Sequence, residues 1–243
     1  PDTRKHRGPH PEDEVLFHPD RHPELTTATR HLSWLMSHDY ALPSALKLVG
    51  DRFQLTKRQR TAVQRCACSD SARAGRRARH VEATALEGST LAIDGLNVIT
   101  TVEAALAGGV ILAGRDGCYR DMASMHGSYR HVEETRPAIE AVGTSLASAG
   151  VRASNWYLDR PVSNSGRLKA FLLRVAGDRN WTWTVDLDDN PDKLLSTSDE
   201  VVATADSVIL DRCRRWFNLA RVVVDDHVPR AVIVDLSDRP TEG

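Results

Sequence analysis

The sequence predicts an α/β protein: a parallel sheet flanked by helices, preceded by a small, basic, all-helical domain. Three observations lead there. After Gly88, short apolar runs that suit strands (LAIDG, NWYLD, VVATAD, AVIVDL) alternate with stretches of helical periodicity, the pattern of a parallel sheet. Before Gly88 every periodic segment reads as helix. Charge divides near the same place. Residues 47–79 hold ten Lys or Arg against Asp51 and Asp70, a balance of +8, leaving −9 for the rest of a 243-residue chain whose net charge is −1.

Residues 1–22, rich in Pro, His and charge, read as an irregular arm. The helical basic domain spans residues 23–88. Its first helix is marked by Leu25, Ala28, Leu32, Leu35 and Met36 at helical spacing, with Trp34 read as a packing residue. A short helix follows from Ser44 and breaks at Gly50, and Thr56 caps KRQRTAVQRCACSD. Lys47, Arg58, Arg60 and Arg65 in this block face either a shared phosphate-rich ligand or water. From residue 89 to 243 the α/β domain takes over. Its helices are VEAALAG, RPAIEAVGTSLASAG, SGRLKAFLLRVAG and DSVILDRCRRWFNLA.

No apolar run approaches the roughly 20 residues needed to span a bilayer, and the N-terminus shows no signal-peptide core, so a cytoplasmic location without membrane contact is expected. Cys66 and Cys68 stand too close for an ordinary disulfide, and Cys118 and Cys213 have no evident partner, which suits reduced structural thiols. No Cys pair has zinc-finger spacing, and His18 and His22 lie in a proline-broken stretch.

The chemistry concentrates at strand ends. Asp94 closes LAID, Asp159 closes NWYLD and Asp206 closes VVATAD, all at the edge where ligands bind in parallel sheets. Carboxylates gathered there repel one another, and a shared Mg²⁺ or Mn²⁺ is the natural compensating charge. Helix capping accounts equally well for any one of them. The coincidence of three points to a metal. Glu103, and after it Asn97, are candidates to extend the metal shell. Ser163, Ser165 and Arg167 in PVSNSGRL suit a phosphate at a helix start, or a capped helix with a turn glycine. Arg115, Asp116, Arg120, His126 and Arg130 lie in a polar stretch that lines the same cleft or is simply solvated. Of these, His126 alone exchanges protons near neutral pH.

The segments SALKLVGDRFQLTKRQRTAVQRCACSD, IDGLNVITTVEAALAGG, GRDGCYRDMASMHGSYRHVEET and LDRPVSNSGRL resemble, over nearly the whole chain, a prokaryotic family labelled domain of unknown function 434. That family carries no established reaction. IDGLNVI is also similar to the first strand of PIN-like and NYN nucleases. The resemblance implies a PIN-like sheet, metal held by Asp94, Asp159 and Asp206, a looser match at Glu103, and cleavage of RNA. Where the NYN group commonly has a second acid near its last motif, this chain has Val208, with Asp211 as an alternative, so one or two metals are both open.

The expected function is a metal-dependent phosphodiester hydrolase acting on RNA, with Asp94, Asp159 and Asp206 catalytic through the metal and Arg167 and Arg115 at the phosphoryl oxygens. The basic helices would hold the nucleic-acid backbone. Two alternatives stand beside it: hydrolysis of a small nucleotide or phosphate ester, and a non-catalytic RNA-binding module. Phosphatase chemistry of the haloacid-dehalogenase kind wants an acid two positions after Asp94, where Leu96 stands.

Overall fold

A computed structural model describes residues 5–122 and 127–237. Five helices come first: α1 (Asp13–Leu16), α2 (His22–Ser37), α3 (Leu42–Arg52), α4 (Lys57–Cys66) and α5 (Asp70–Arg79). The stripe on α2 buries Leu25, Ala28, Leu32 and Leu35, as its periodicity requires. Trp34 does not pack inward. It is 56% exposed and stacks on His38 with ring centroids 4.0 Å apart. At α4 the Thr56 hydroxyl accepts from the Gln59 N–H (3.3 Å) while the Gln59 side chain accepts from the Thr56 N–H (3.1 Å), a reciprocal capping box.

Two helical expectations need correction. Gly50 does not break α3, which runs through it to Arg52. The missing Cβ there makes room for the Arg60 guanidinium, whose atoms lie within 2.6 Å of where a Cβ would stand. Residues 5–22 are also more ordered than an irregular arm. They form α1 and a 3₁₀ turn at Pro19–Arg21, and three contacts tie them down. Asp13 takes two bonds from Arg58 (2.5 and 2.8 Å), the Arg7 Nε donates to Glu103 (2.7 Å), and the Glu133 N–H donates to the Lys5 carbonyl (3.0 Å).

The rest of the chain is β1 (Thr90–Asp94), α6 (Gly95–Leu106), β2 (Val110–Ala113), β3 (Tyr119–Asp121), α7 (Thr135–Ser148), β4 (Ala153–Asp159), α8 (Ser165–Asp178), β5 (Trp183–Asp188), α9 (Pro191–Ser196), β6 (Val201–Ala203), α10 (Ser207–Arg212), β7 (Trp216–Phe217), α11 (Leu219–His227) and β8 (Val232–Asp235). Five strands form a parallel sheet in the order β5-β4-β1-β6-β7, with helices packed on it. β1 lies at its centre with Leu91, Ala92 and Ile93 fully buried, as a strand covered on both faces must be.

A second, three-stranded sheet has the order β3-β2-β8. The run AVIVDL therefore pairs with β2 rather than joining the parallel sheet. This small sheet closes the core of the N-terminal helices: Val110, Leu112, Val234 and Leu236 pack with Leu25, Leu32, Val49 and Val63. Hydrophobic burial thus runs continuously across residue 88.

The segment DSVILDRCRRWFNLA is not one helix. It divides into α10, β7 and the start of α11. Trp216 explains the break, because its ring is buried and its Nε1 donates to the Arg76 carbonyl (2.7 Å), which draws the chain into the sheet edge beside β6. Among the described residues no helix is long and apolar enough to cross a membrane, and the four cysteines are buried and unpaired.

Candidate active site

β1, β4 and β6 lie side by side and parallel, so their C-terminal ends open on one edge of the sheet. A cleft of about 510 Å³ lies there. Asp94, Asp159 and Asp206 line it, and Asp192 from α9 joins them. Gly95 allows α6 to start directly after Asp94. A Cβ at this position would meet Leu158 at 2.6 Å and the Tyr157 carbonyl at 3.2 Å, so no larger residue fits between β1 and β4.

Hydrogen bonds from β1 and from α6 tie both to the loop after β6. The Asp206 N–H donates to the Thr204 hydroxyl (3.0 Å), which donates to Asp94 Oδ2 (2.7 Å). Beside it, Asn97 Oδ1 accepts from the Ala205 N–H (2.9 Å). Asn97 thus clamps the loop that presents Asp206. Asp206 also caps α10, its Oδ1 accepting from the Val208 and Ile209 N–H groups at 2.8 and 3.1 Å.

The electrostatics of the cleft are divided. Burial, with Asp206, Asp192 and Asp159 nearby, pushes the Asp94 carboxyl up to about 7 against the Thr204 bond. Asp159 is raised by burial, and Asp192 by burial together with Asp206 and Asp159. None of these four acids has a Lys, Arg or His partner among the described residues, although Arg65, Arg76 and Arg120 line the same cleft. Those arginines are engaged elsewhere. Arg76 donates to Asp211 (2.7 and 2.8 Å) and Asp116 (2.6 Å), and Arg120 donates to Asp116 (2.9 and 2.6 Å) and the Ala205 carbonyl (2.8 Å). Burial alone would raise Asp116, but Arg120 and Arg76 outweigh it and hold the carboxyl well below the usual range. Arg65 donates to the Asp121 carbonyl, and the Asp121 side chain accepts from Thr100 and Thr101 (3.3 and 3.2 Å).

Hard oxygen donors that no protein cation among the described residues pairs with fit Mg²⁺ or Mn²⁺. As placed, no three His, Cys, Asp or Glu side chains among the described residues are close enough together to hold an ion, so binding would have to draw the carboxylates inward.

Several expected site residues lie elsewhere. Glu103 is fully buried behind the sheet edge, its carboxylate bonded to Arg7 (2.7 Å), Tyr129 (2.5 Å) and Thr135 (2.5 Å), so it belongs to a structural network and does not line the cleft. Arg58 is held by Asp13. Arg60 and Lys47 share Asp51 (2.8 and 3.1 Å). Ser163 and Arg167 are exposed at the start of α8, Ser165 is buried with its hydroxyl unpartnered, and none of the three lines the cleft. Arg115 faces a different groove, and Asp116 and Asp211 are neutralised by arginines. His126 lies outside the described residues. Sequence reasoning missed Asp192, Asp121, Thr204 and the cleft-lining Arg76. Asp192 had one readable signal, its position just after a strand that ends in Asp188.

Residues 83–222 match the family model described as domain of unknown function DUF5616. The chain belongs to this family. Residues 24–79 match protein of unknown function DUF434, so the resemblance to that family is confined to the helical part and does not extend over the α/β part. The chain is 30% identical over 186 residues to the uncharacterized protein MJ0935 of Methanocaldococcus jannaschii, covering 76% of this chain and 88% of that one. No solved structure matches.

Proposed function

We propose that this DUF5616 member is a metal-dependent phosphodiester hydrolase with a PIN-like α/β domain, acting on RNA. The observation that carries the reading is the group of Asp94, Asp159, Asp192 and Asp206 at one sheet edge, none of them paired with a cation among the described residues, with Asp94 pushed up to about 7. When bound, Mg²⁺ or Mn²⁺ supplies Lewis-acid activation of water and of a phosphoryl oxygen. The chain's own residues hold the geometry. Thr204 and Asn97 fix the β6–α10 loop against β1 and α6, and Arg120 holds the Ala205 carbonyl of the same loop.

Asp206→Asn tests this cleanly, because Asn caps a helix as well as Asp does and removes only the charge. End-labelled single-stranded RNA should be cut by the native protein in Mg²⁺ or Mn²⁺ and left intact in EDTA, with the variant at least about a hundredfold slower. RNA that stays whole with the native protein in both metals contradicts the reading. So does a variant that cuts as fast. RNA that is bound but never cut points instead to a non-catalytic module.

Hydrolysis of a small phosphate ester is the second reading, favoured by the engagement of Arg58 with Asp13 and of Arg60 with Asp51, which withdraws two expected contacts from a nucleic-acid track. Turnover of bis(p-nitrophenyl) phosphate without RNA cleavage would select it.

A further inference from the structure

We propose that the cleft takes up a whole nucleotide of the substrate, its phosphate at the acids and its base against the N-terminal helices, where Gln64 selects adenine. The inference rests on the phosphodiesterase reading above and names what that site selects.

α6 sets the layout. Leu96 and Asn97 follow Asp94 in its first turn, and Thr100 and Thr101 line the cleft one turn, about 6 Å, further along. Asp121 joins this second turn to the helical part of the chain: its side chain accepts from Thr100 and Thr101 (3.3 and 3.2 Å), and its carbonyl accepts from Arg65 of α4. Beyond it the wall is no longer acidic. Met36 from α2, Leu42 from α3 and Ala67 after α4 line the cleft, each only partly buried. The cleft therefore has carboxylates at one end and uncovered apolar side chains at the other. Its volume of about 510 Å³ falls within the roughly 300–1,000 Å³ of pockets that enclose one small molecule, which are mostly apolar with a few polar groups to fix orientation.

Gln64 is such a polar group. It lines the cleft near the end of α4, is exposed and so within reach of a ligand, and its carboxamide has no hydrogen-bond partner among the described residues. Its neighbours are engaged, Arg65 and both threonines with Asp121. Arg65 is also offset in charge, since Asp121 Oδ1 lies 3.8 Å from its guanidinium. An apolar wall with a neutral amide and no unopposed cation favours a base over a further phosphate. A carboxamide presents a donor beside an acceptor, which two bonds match to the N6–H and N7 of adenine.

Gln64→Leu keeps the bulk of an exposed side chain and removes its carboxamide. In Mn²⁺ the native protein should cut oligoadenylate with a KM about tenfold below that for oligouridylate. The variant should lose this difference through KM rather than kcat, as expected for a group that binds the base and does not touch the reacting phosphate. Isothermal titration with AMP and UMP in Mn²⁺ makes the same comparison without cleavage. Adenine selection that disappears in Gln64→Leu supports the subsite. RNA cleavage without selection, or selection that survives the substitution, overturns the subsite and leaves the phosphodiesterase reading standing. Binding of AMP over UMP that depends on Gln64, with no RNA cut, keeps the subsite and overturns that reading. Neither cleavage of RNA nor binding of either monophosphate overturns both.

Discussion

Asp94→Asn is expected to reduce metal-dependent cleavage about a thousandfold or more and, in EDTA, to raise thermal stability at pH 8. The two effects have one origin. Asp94 sits 9% exposed among three other carboxylates, and its carboxyl is pushed up to about 7 from an unfolded value near 4. Between those values the folded protein holds a proton that the unfolded chain has lost, so stability falls as pH rises through this window. Below about 4 the group contributes no penalty; above about 7 the penalty is complete, on the order of 2–4 kcal/mol. Asn removes it. Melting curves in EDTA should therefore coincide near pH 4 and separate in favour of the variant by pH 8. Saturating Mn²⁺ should stabilise the native protein more at pH 8 than at pH 5, because the ion binds the deprotonated carboxylates. A native-minus-variant difference that does not change with pH would contradict the assignment.

Arg76→Met is expected to cost about 3–5 kcal/mol, the range for breaking a buried ion pair by removing one partner. Arg76 is 3% exposed, joins Asp116 and Asp211 through both sides of its guanidinium, and through its carbonyl accepts from Trp216. Its loss leaves Asp116 with Arg120 alone and leaves Arg79, which donates to the Leu210 and Asp211 carbonyls, to hold α5 to α10. Lys should not rescue the variant, since an ammonium cannot span two carboxylates in the planar geometry the guanidinium provides. Urea unfolding midpoints measure this. A loss under about 1 kcal/mol would show that the network is solvated and loosely held.

The acids at strand ends were legible because a parallel sheet sends every C-terminal strand end to one edge, and Asp94, Asp159 and Asp206 each follow an apolar run. Glu103 misled for a reason of helix geometry. Asn97, Thr100 and Thr101 share the face of α6 that lines the cleft, and Glu103, although three residues after Thr100, lies roughly 110° around the axis from the middle of that face. Arg58 and Arg60 were misread because their partners come from elsewhere: Asp13 is 45 residues away, and the seat for Arg60 depends on Gly50 in a different helix. Asp192 reaches the cleft only through the packing of α9 against β1 and β4, which no local pattern encodes. The second sheet stayed hidden because β2 and β3 are four and three residues long and β8 pairs with β2 across more than 100 residues.

Anomalous scattering from a Mn²⁺-soaked crystal asks the central question directly. A peak bounded by the carboxylates of Asp94, Asp159 and Asp206, within about 2.3 Å of at least two of them, and absent from an Asp94→Asn crystal soaked alike, is the expected result. A fully soaked crystal with no peak in this cleft, and these side chains still apart, would contradict it.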